Sequence, residues 1–406
     1  MEVIPETLYH GNETMTELRT LQVTDIEDDY EKYPVVTDYI AKKKGTSESI
    51  DALFVAGDWI QAKTGRGDKT ADRAVKELQH SAASGDLHNV SKELNAFGAK
   101  HSDKIKDGAL NIDQLEKEED KKVFLEFIAK KWAKEGEVIL KTVKDSYQRH
   151  AAEVDKIDIP IFGVLGNNDL TVAYDFLGKK VTFLEKEKQA KIVGKSGIEF
   201  LVKGDLNTWE TPGLYSEFSP ALRKHFIPYL SGYSLSQLNT KVKELENSKD
   251  GEKINYTPEM QAELEYSIGL REEVTEFAAA ERQRLGSKNE VDIYLTHKLP
   301  SCKKARSDVK GTLSDITQEY AANAKAVYGG HFDDGQIGYK TIENLLRQEC
   351  GETTIIDGVE VPVFYLDDKE PWELNPGTDH FFVTEYDANK QIEQVVIHKF
   401  YYEEAA

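Results

Sequence analysis

Cysteine is scarce: Cys302 and Cys350 are the only two in 406 residues, and their separation matches neither a zinc ribbon nor the framework of a disulfide-stapled domain. Two reduced thiols in a cytosolic protein are the expectation. Long apolar runs are missing as well. No stretch approaches the ~18 apolar residues that a bilayer span requires, and the start, M-E-V-I-P-E-T-L-Y-H, has neither a basic nor an apolar segment. Secretion and membrane spanning are therefore disfavoured and a cytoplasmic location is expected. The sequons at Asn12, Asn89 and Asn255 then lose their meaning, because glycosylation requires the secretory pathway. Positive charge is also in deficit: 52 Lys and Arg face 73 Asp and Glu, a formal net charge of −21. Such acidity argues against a broad electrostatic grip on extended nucleic acid. A local cationic site could still hold phosphate, and a bound metal would supply one.

What is present suits a globular chain. With 39% hydrophobic and 10% aromatic residues, the sequence can build one large domain with insertions or two ordinary ones. Several short apolar runs end in small or polar residues: L-R-T-L-Q-V-T-D, D-A-L-F-V-A-G-D, I-P-I-F-G-V-L-G-N-N-D, V-D-I-Y-L-T-H and A-K-A-V-Y-G-G-H. Continuous rather than alternating apolarity points to strands buried on both faces, as in a sheet covered by helices, an α/β class. Two stretches differ in character. From about Gly67 to Asp155 the chain is rich in Lys and Glu, with Phe124, Phe127, Ile128 and Trp132 on one helical face and Ile139, Val143 and Tyr147 spaced by four. A second helical stretch runs from about Pro220 to Leu285. These aromatic stripes are expected to be packing faces. The segment from Lys180 to Leu206 and the tail from Thr353 to Phe400 alternate in the manner of strands.

The strand ends carry the chemistry. In order they present Asp25-Ile26-Glu27, Gly57-Asp58, Gly166-Asn167-Asn168-Asp169, His297 and Gly330-His331-Phe332-Asp333. Carboxylates, an amide oxygen and two imidazoles make a complete shell for two divalent cations, and the neighbouring glycines allow close backbone approach. Any one motif is weak, since a Gly-Asp after a strand is commonplace and a lone buried histidine is usually a core residue. Five in order, each at a strand end where open α/β sheets bind ligands, point to a metal site.

The order D-x-H, G-D, G-N-H-D/E, H, G-H-x-H is the signature of calcineurin-like metallophosphoesterases, and the chain resembles a divergent member. The resemblance covers roughly Leu18 to Lys63, Ile157 to Trp209 and Val291 to Tyr339. It implies two packed mixed β-sheets flanked by helices, a single discontinuous domain over 18–400. Helical insertions would lie at 67–156 and 214–287, the second a candidate cap. It also implies that Asp58 bridges two metals, with Asp25 on the first and Asn167, His297 and His331 on the second. Three positions depart from the pattern: Glu27, Asn168 and Asp333 stand where the family usually has histidine. Glu27 and Asp333 would make the first site nearly all oxygen, which favours the hard ions Mn²⁺ or Mg²⁺ over Zn²⁺; Mn²⁺ is the expected occupant, with Mg²⁺, Fe and Zn²⁺ as alternatives.

The reaction so implied is hydrolysis of a phosphoester by metal-activated hydroxide. Asn168 takes the place of a histidine on the leaving-group side, and an amide cannot act as an acid near neutral pH. Phosphodiesters and leaving groups of low pKa are therefore the expected substrates. The alternatives are a phosphomonoesterase acting on phosphoproteins or nucleotides, and a non-catalytic scaffold that keeps the fold. Asp169 would orient its neighbour or cap a helix. Arg66, flanked by glycines, is a candidate phosphate contact. His225 and His380 are conceivable substitute acids but read as ordinary histidines; Lys298, beside His297, could face phosphate but reads as a solvated loop residue. Two decoys are set aside: Asp86-Leu87-His88 as a solvated turn, and Gly204-Asp205 as a β-turn.

Overall fold

The computed structural model describes residues 16–60, 105–106, 109–110, 119, 137, 140–166, 168–206, 225, 235–247, 258–300, 314–331, 335–337, 340–341, 352–356, 359–364 and 372–400. Along the chain come β1 (Leu18–Val23), α1 (Lys32–Lys43) and β2 (Ala52–Ala56). β3 (Ile105–Lys106) and β4 (Ala109–Leu110) form a separate hairpin, and residues 140–154 form helix α2. Next are β5 (Ile161–Val164), α3 (Ala173–Leu177), β6 (Val181–Phe183), β7 (Ala190–Val193) and β8 (Glu199–Asp205). The helices α4 (Leu235–Asn247) and α5 (Pro258–Leu285) lie within the second predicted helical stretch. β9 (Ile293–Lys298), α6 (Ser314–Ala321) and β10 (Ala326–Gly330) come after them, then β11 (Gln336–Ile337) and β12 (Lys340–Thr341). The tail is strand, as its alternation predicts: β13 (Glu352–Ile356), β14 (Val359–Phe364), β15 (Trp372–Asn375), β16 (His380–Tyr386) and β17 (Ile392–Lys399).

The chain is α/β with two mixed sheets. One has eight strands in the order β13-β14-β17-β16-β1-β2-β5-β6, and the other seven in the order β12-β11-β15-β10-β9-β8-β7. In the first, β1, β2, β5 and β6 run parallel, while β16 closes antiparallel onto β1. In the second, β8, β9, β10 and β15 are parallel. Every residue of β1, β2, β5, β9 and β10 is buried; β2, β5 and β10 read as unbroken runs of apolar and small residues, whereas β1 interleaves Arg19, Thr20 and Gln22 and β9 ends in Thr296, His297 and Lys298.

One core joins the two sheets. Leu18, Phe54 and Val164 of the first pack with Val202, Leu295 and Tyr328 of the second. The Phe54 and Tyr328 rings meet edge-on at 5.0 Å, and those of Phe200 and Tyr386 at 5.6 Å. Polar groups cross the same layer. Gln22 in β1 donates through Nε2 to the carbonyls of Gly329 and Leu374 on the opposite sheet, each at 3.0 Å. The Tyr328 hydroxyl shares hydrogen bonds with Thr20 at 2.7 Å and Tyr386 at 2.6 Å.

By its internal contacts the chain forms two compact units. The first comprises Met1–Gln61, Ser146–Trp209 and Tyr229–Ala406, and holds both large sheets; the second comprises Ala62–Asp145 and Glu210–Pro228. Among the described residues no helix is long and apolar enough to cross a membrane.

Candidate metal centre

The parallel strands of both sheets deliver their carboxyl ends to one place. β2 leads into Gly57-Asp58 and β9 carries His297, while β10 leads into His331. The ligand atoms of Asp58, His297 and His331 lie within 4.8 Å of one another, in a group able to hold a metal ion. A register irregularity between Tyr328 and Gly330, just ahead of His331, breaks the even pairing of β10 with β9 and re-aims the strand end.

The backbone there is strained. Six non-glycine residues among those described have positive φ, and four are predicted ligands: Asp25 (46°), Glu27 (51°), Asp58 (48°) and His331 (77°). Each such conformation costs about 1–3 kcal/mol and persists only where its surroundings enforce it. Here the 25–28 segment is laced to the 57–59 segment: the N–H of Asp25, Glu27 and Asp28 donate to the carbonyls of Gly57, Asp58 and Trp59 at 3.2, 2.9 and 3.1 Å. Gly57 (φ +88°) has no room for a side chain, since a Cβ would lie 2.6 Å from His297 Nδ1. At Gly166 a Cβ would strike the backbone N and Oδ1 of Asp58. Those two motif glycines are required by close approach.

The electrostatics suit a cation. Asp25 and Asp58 are both buried, at 2% and 3% exposure. Burial pushes the Asp25 carboxyl up to about 7; His297 pulls it back, and the Asp58 carboxylate pushes it higher. Burial likewise lowers the pKa of His297, favouring the neutral ring. His297 Nδ1 lies 2.8 Å from the carbonyl of Ala56, which can only accept, so Nδ1 carries the proton and Nε2 keeps its lone pair. That lone pair faces Asp58 Oδ2 at 3.5 Å. An imidazole oriented by a backbone carbonyl and aimed at a carboxylate is the arrangement of a metal ligand with its supporting partner. The donor set therefore fits a divalent cation.

The other predicted residues distribute unevenly. Asp25 stands beside the trio, its two oxygens accepting from the His331 N–H at 3.2 and 3.0 Å and from Thr24 Oγ1 at 2.6 Å. Glu27 shares the Asp25 loop. Asn168 donates its backbone N–H to Asp58 Oδ1 at 2.8 Å and its amide to Oδ2 at 3.0 Å. Asp169 is wholly buried and accepts from the N–H of Gly166, Trp59 and Ile60 at 2.8, 3.1 and 3.4 Å, so it ties two strand-end loops together. Asn167, Asp333 and Arg66 lie outside the described residues, as does the Asp86–His88 decoy.

Two expectations need correction. Gly204 and Asp205 form no turn: they end β8, where Asp205 pairs with Thr296 and is fully buried. Its carboxylate is kept there by the hydroxyls of Tyr294, Thr296 and Thr317 at 2.8, 2.7 and 2.6 Å. Lys298 is no solvated loop residue either; it is the last residue of β9, pairs with Gly330 and is fully buried. Tyr147 does more than the packing that its spacing predicts. The one signal for this was a Tyr and a His three residues apart, Tyr147 and His150, in a helix otherwise rich in charged residues.

No protein-family profile and no curated protein matches the chain. One solved structure aligns at 10% identity over 95% of this chain and 100% of the other, with a TM-score of 0.37. The structure of TT1561 of Thermus thermophilus aligns at 10% identity over 93% and 98%, with a TM-score of 0.35. Likenesses this low carry no argument about the function of this chain.

Proposed function

We propose that this protein is a metal-dependent phosphoesterase working with two divalent cations, with phosphodiesters as its preferred substrates. The observation that carries the reading is the Asp58, His297 and His331 trio, the first two buried and the third half-buried, with the His297 lone pair turned onto Asp58. The ordered strand-end motifs supply the rest. Asp58 would be shared between the ions, Asp25, Glu27 and Asp333 would serve the first, and Asn167, His297 and His331 the second. Bound there, a cation pair would activate water as the nucleophile and offset phosphoryl charge in an in-line displacement. An oxygen-rich first site favours Mn²⁺.

Residues beside the trio restrict the choice of leaving group. The backbone N–H of Asn168 and an N–H of its carboxamide are engaged with Asp58, and a carboxamide is no acid near neutral pH, so it gives a leaving group no proton. Departure is then easiest for oxygens of low pKa, which favours aryl esters and diesters over alkyl monoesters. A panel of aryl diesters, aryl monoesters, cyclic nucleotides and dinucleotides, each with added Mn²⁺, Mg²⁺, Fe²⁺ or Zn²⁺, tests the proposal. Diester turnover with Mn²⁺ is expected. Inactivity across the panel would overturn the enzyme reading, and a strong monoester preference would overturn the diester part.

A further inference from the structure

Helix α2 presents three polar side chains to the loops that carry the predicted ligands. Tyr147 is fully buried, and its hydroxyl donates to Asp169 Oδ1 at 3.0 Å while accepting the Leu170 N–H at 2.9 Å. Ser146 Oγ donates to Asp28 Oδ1, and His150 Nε2, one turn on, lies 3.3 Å from the same oxygen. Tyr30 adds its hydroxyl to that oxygen at 3.0 Å, and the Tyr33 hydroxyl lies 2.9 Å from His150 Nδ1, fixing the ring from behind. Asp28 directly succeeds Glu27 and is itself left-handed, with φ 64°.

Each contact acts on a ligand at one remove. Asp169 binds the N–H of Trp59 and Ile60 on the Asp58 loop and of Gly166 on its own loop, so the Tyr147 hydroxyl sets the spacing of both. Asp28 holds the end of the segment that begins at Asp25. Phenylalanine would fill the core at 147 much as tyrosine does, but it would lack the hydroxyl that Asp169 and the Leu170 N–H engage.

We propose that Tyr147 is a positioning residue for cation binding, acting through Asp169 on the 57–60 and 166–170 loops, with Ser146 acting likewise through Asp28. The inference rests on the metal reading of the site. Its test is Mn²⁺ binding to the full chain, measured by calorimetry without substrate. Tyr147→Phe should bind Mn²⁺ about tenfold more weakly, the range seen when a ligand's supporting partner is removed. Ser146→Ala, a milder change, should weaken it severalfold. Tyr320→Phe is the control: it removes a comparable hydroxyl, donated to the Gly286 carbonyl at 2.6 Å, and should lower the melting temperature while leaving Mn²⁺ affinity unchanged. If the wild type binds and both Tyr147→Phe and Ser146→Ala bind as tightly, the positioning role is overturned and the metal reading stands. If the wild type binds no divalent ion, the metal reading falls and this inference with it.

Discussion

Two buried aspartates show how differently one fold treats the same side chain. Asp205, at the end of β8, is surrounded by three hydroxyl donors from Tyr294, Thr296 and Thr317. Asp58, past the end of β2, has the donors of Asn168 on one side and the lone pair of a neutral imidazole on the other. Both carboxylates have left water and both need compensation. Asp205 receives it from the protein, which marks it as structural. Asp58 also accepts hydrogen bonds, from Asn168, but in addition faces an imidazole nitrogen at 3.5 Å, and under the proposed reading a cation would sit between them. Burial alone does not identify a functional acid; what faces it does.

The largest effect should come from Asp58→Asn. It should cut turnover on any active ester roughly a thousandfold or more, the loss expected when a shared ligand of a metal pair goes, while circular dichroism stays native. Unchanged turnover would erase the contrast. Asp205→Ala should do the opposite, costing about 3 kcal/mol in chemical denaturation because three hydroxyls lose their acceptor, yet leaving Mn²⁺ binding intact. Glu185 is an intermediate case. Its Oε1 accepts from the Leu165 N–H and the Tyr174 hydroxyl, while Oε2 is buried with no hydrogen-bond donor among the described residues. Burial pushes this carboxyl up from 4.5 to about 8. The folded state then holds a proton that the unfolded chain releases, so the contribution is full below pH 4.5 and is lost as pH rises to 8. Wild type should lose on the order of 5 kcal/mol across that window, and Glu185→Gln should flatten that part of the profile. A slope unchanged in the variant would reassign the effect. The smallest expected effect is of metal on folding: Mn²⁺ at a hundred times its Kd should add about 2.7 kcal/mol, and His297→Ala should abolish the gain.

Much of the framework was legible beforehand. Largely apolar runs marked β1, β2, β5, β9 and β10 because central parallel strands are buried on both faces, and the polar residues at or past their ends marked where a ligand could sit. Which of these ends meet was not legible. Asp58, His297 and His331 come from two sheets, and their convergence depends on how the sheets face each other. Asp205 and Lys298 were misread for a related reason. Each is polar at the end of a strand, and local sequence does not show that hydroxyls from 294, 296 and 317 close over one, or that the other stays inside the pairing with β10. Tyr147 was read as packing because a ring at helical spacing carries that signal, whereas its hydroxyl acts on residues 22 and 23 positions away.

Gln22 gives the convergence its mechanical basis. Apolar side chains in the layer between sheets permit sliding, since one methyl contact is nearly as good as the next. A carboxamide whose two N–H groups both reach backbone carbonyls of the other sheet does not permit it, because a slide would pull those short, directional hydrogen bonds apart and leave buried polar groups unpaired. The residue sits three positions before Asp25, and one of its acceptors, Gly329, sits two before His331. Gln22 thus works as a dowel between two plates, indexing one against the other so that loops extending from each come to rest at a common height.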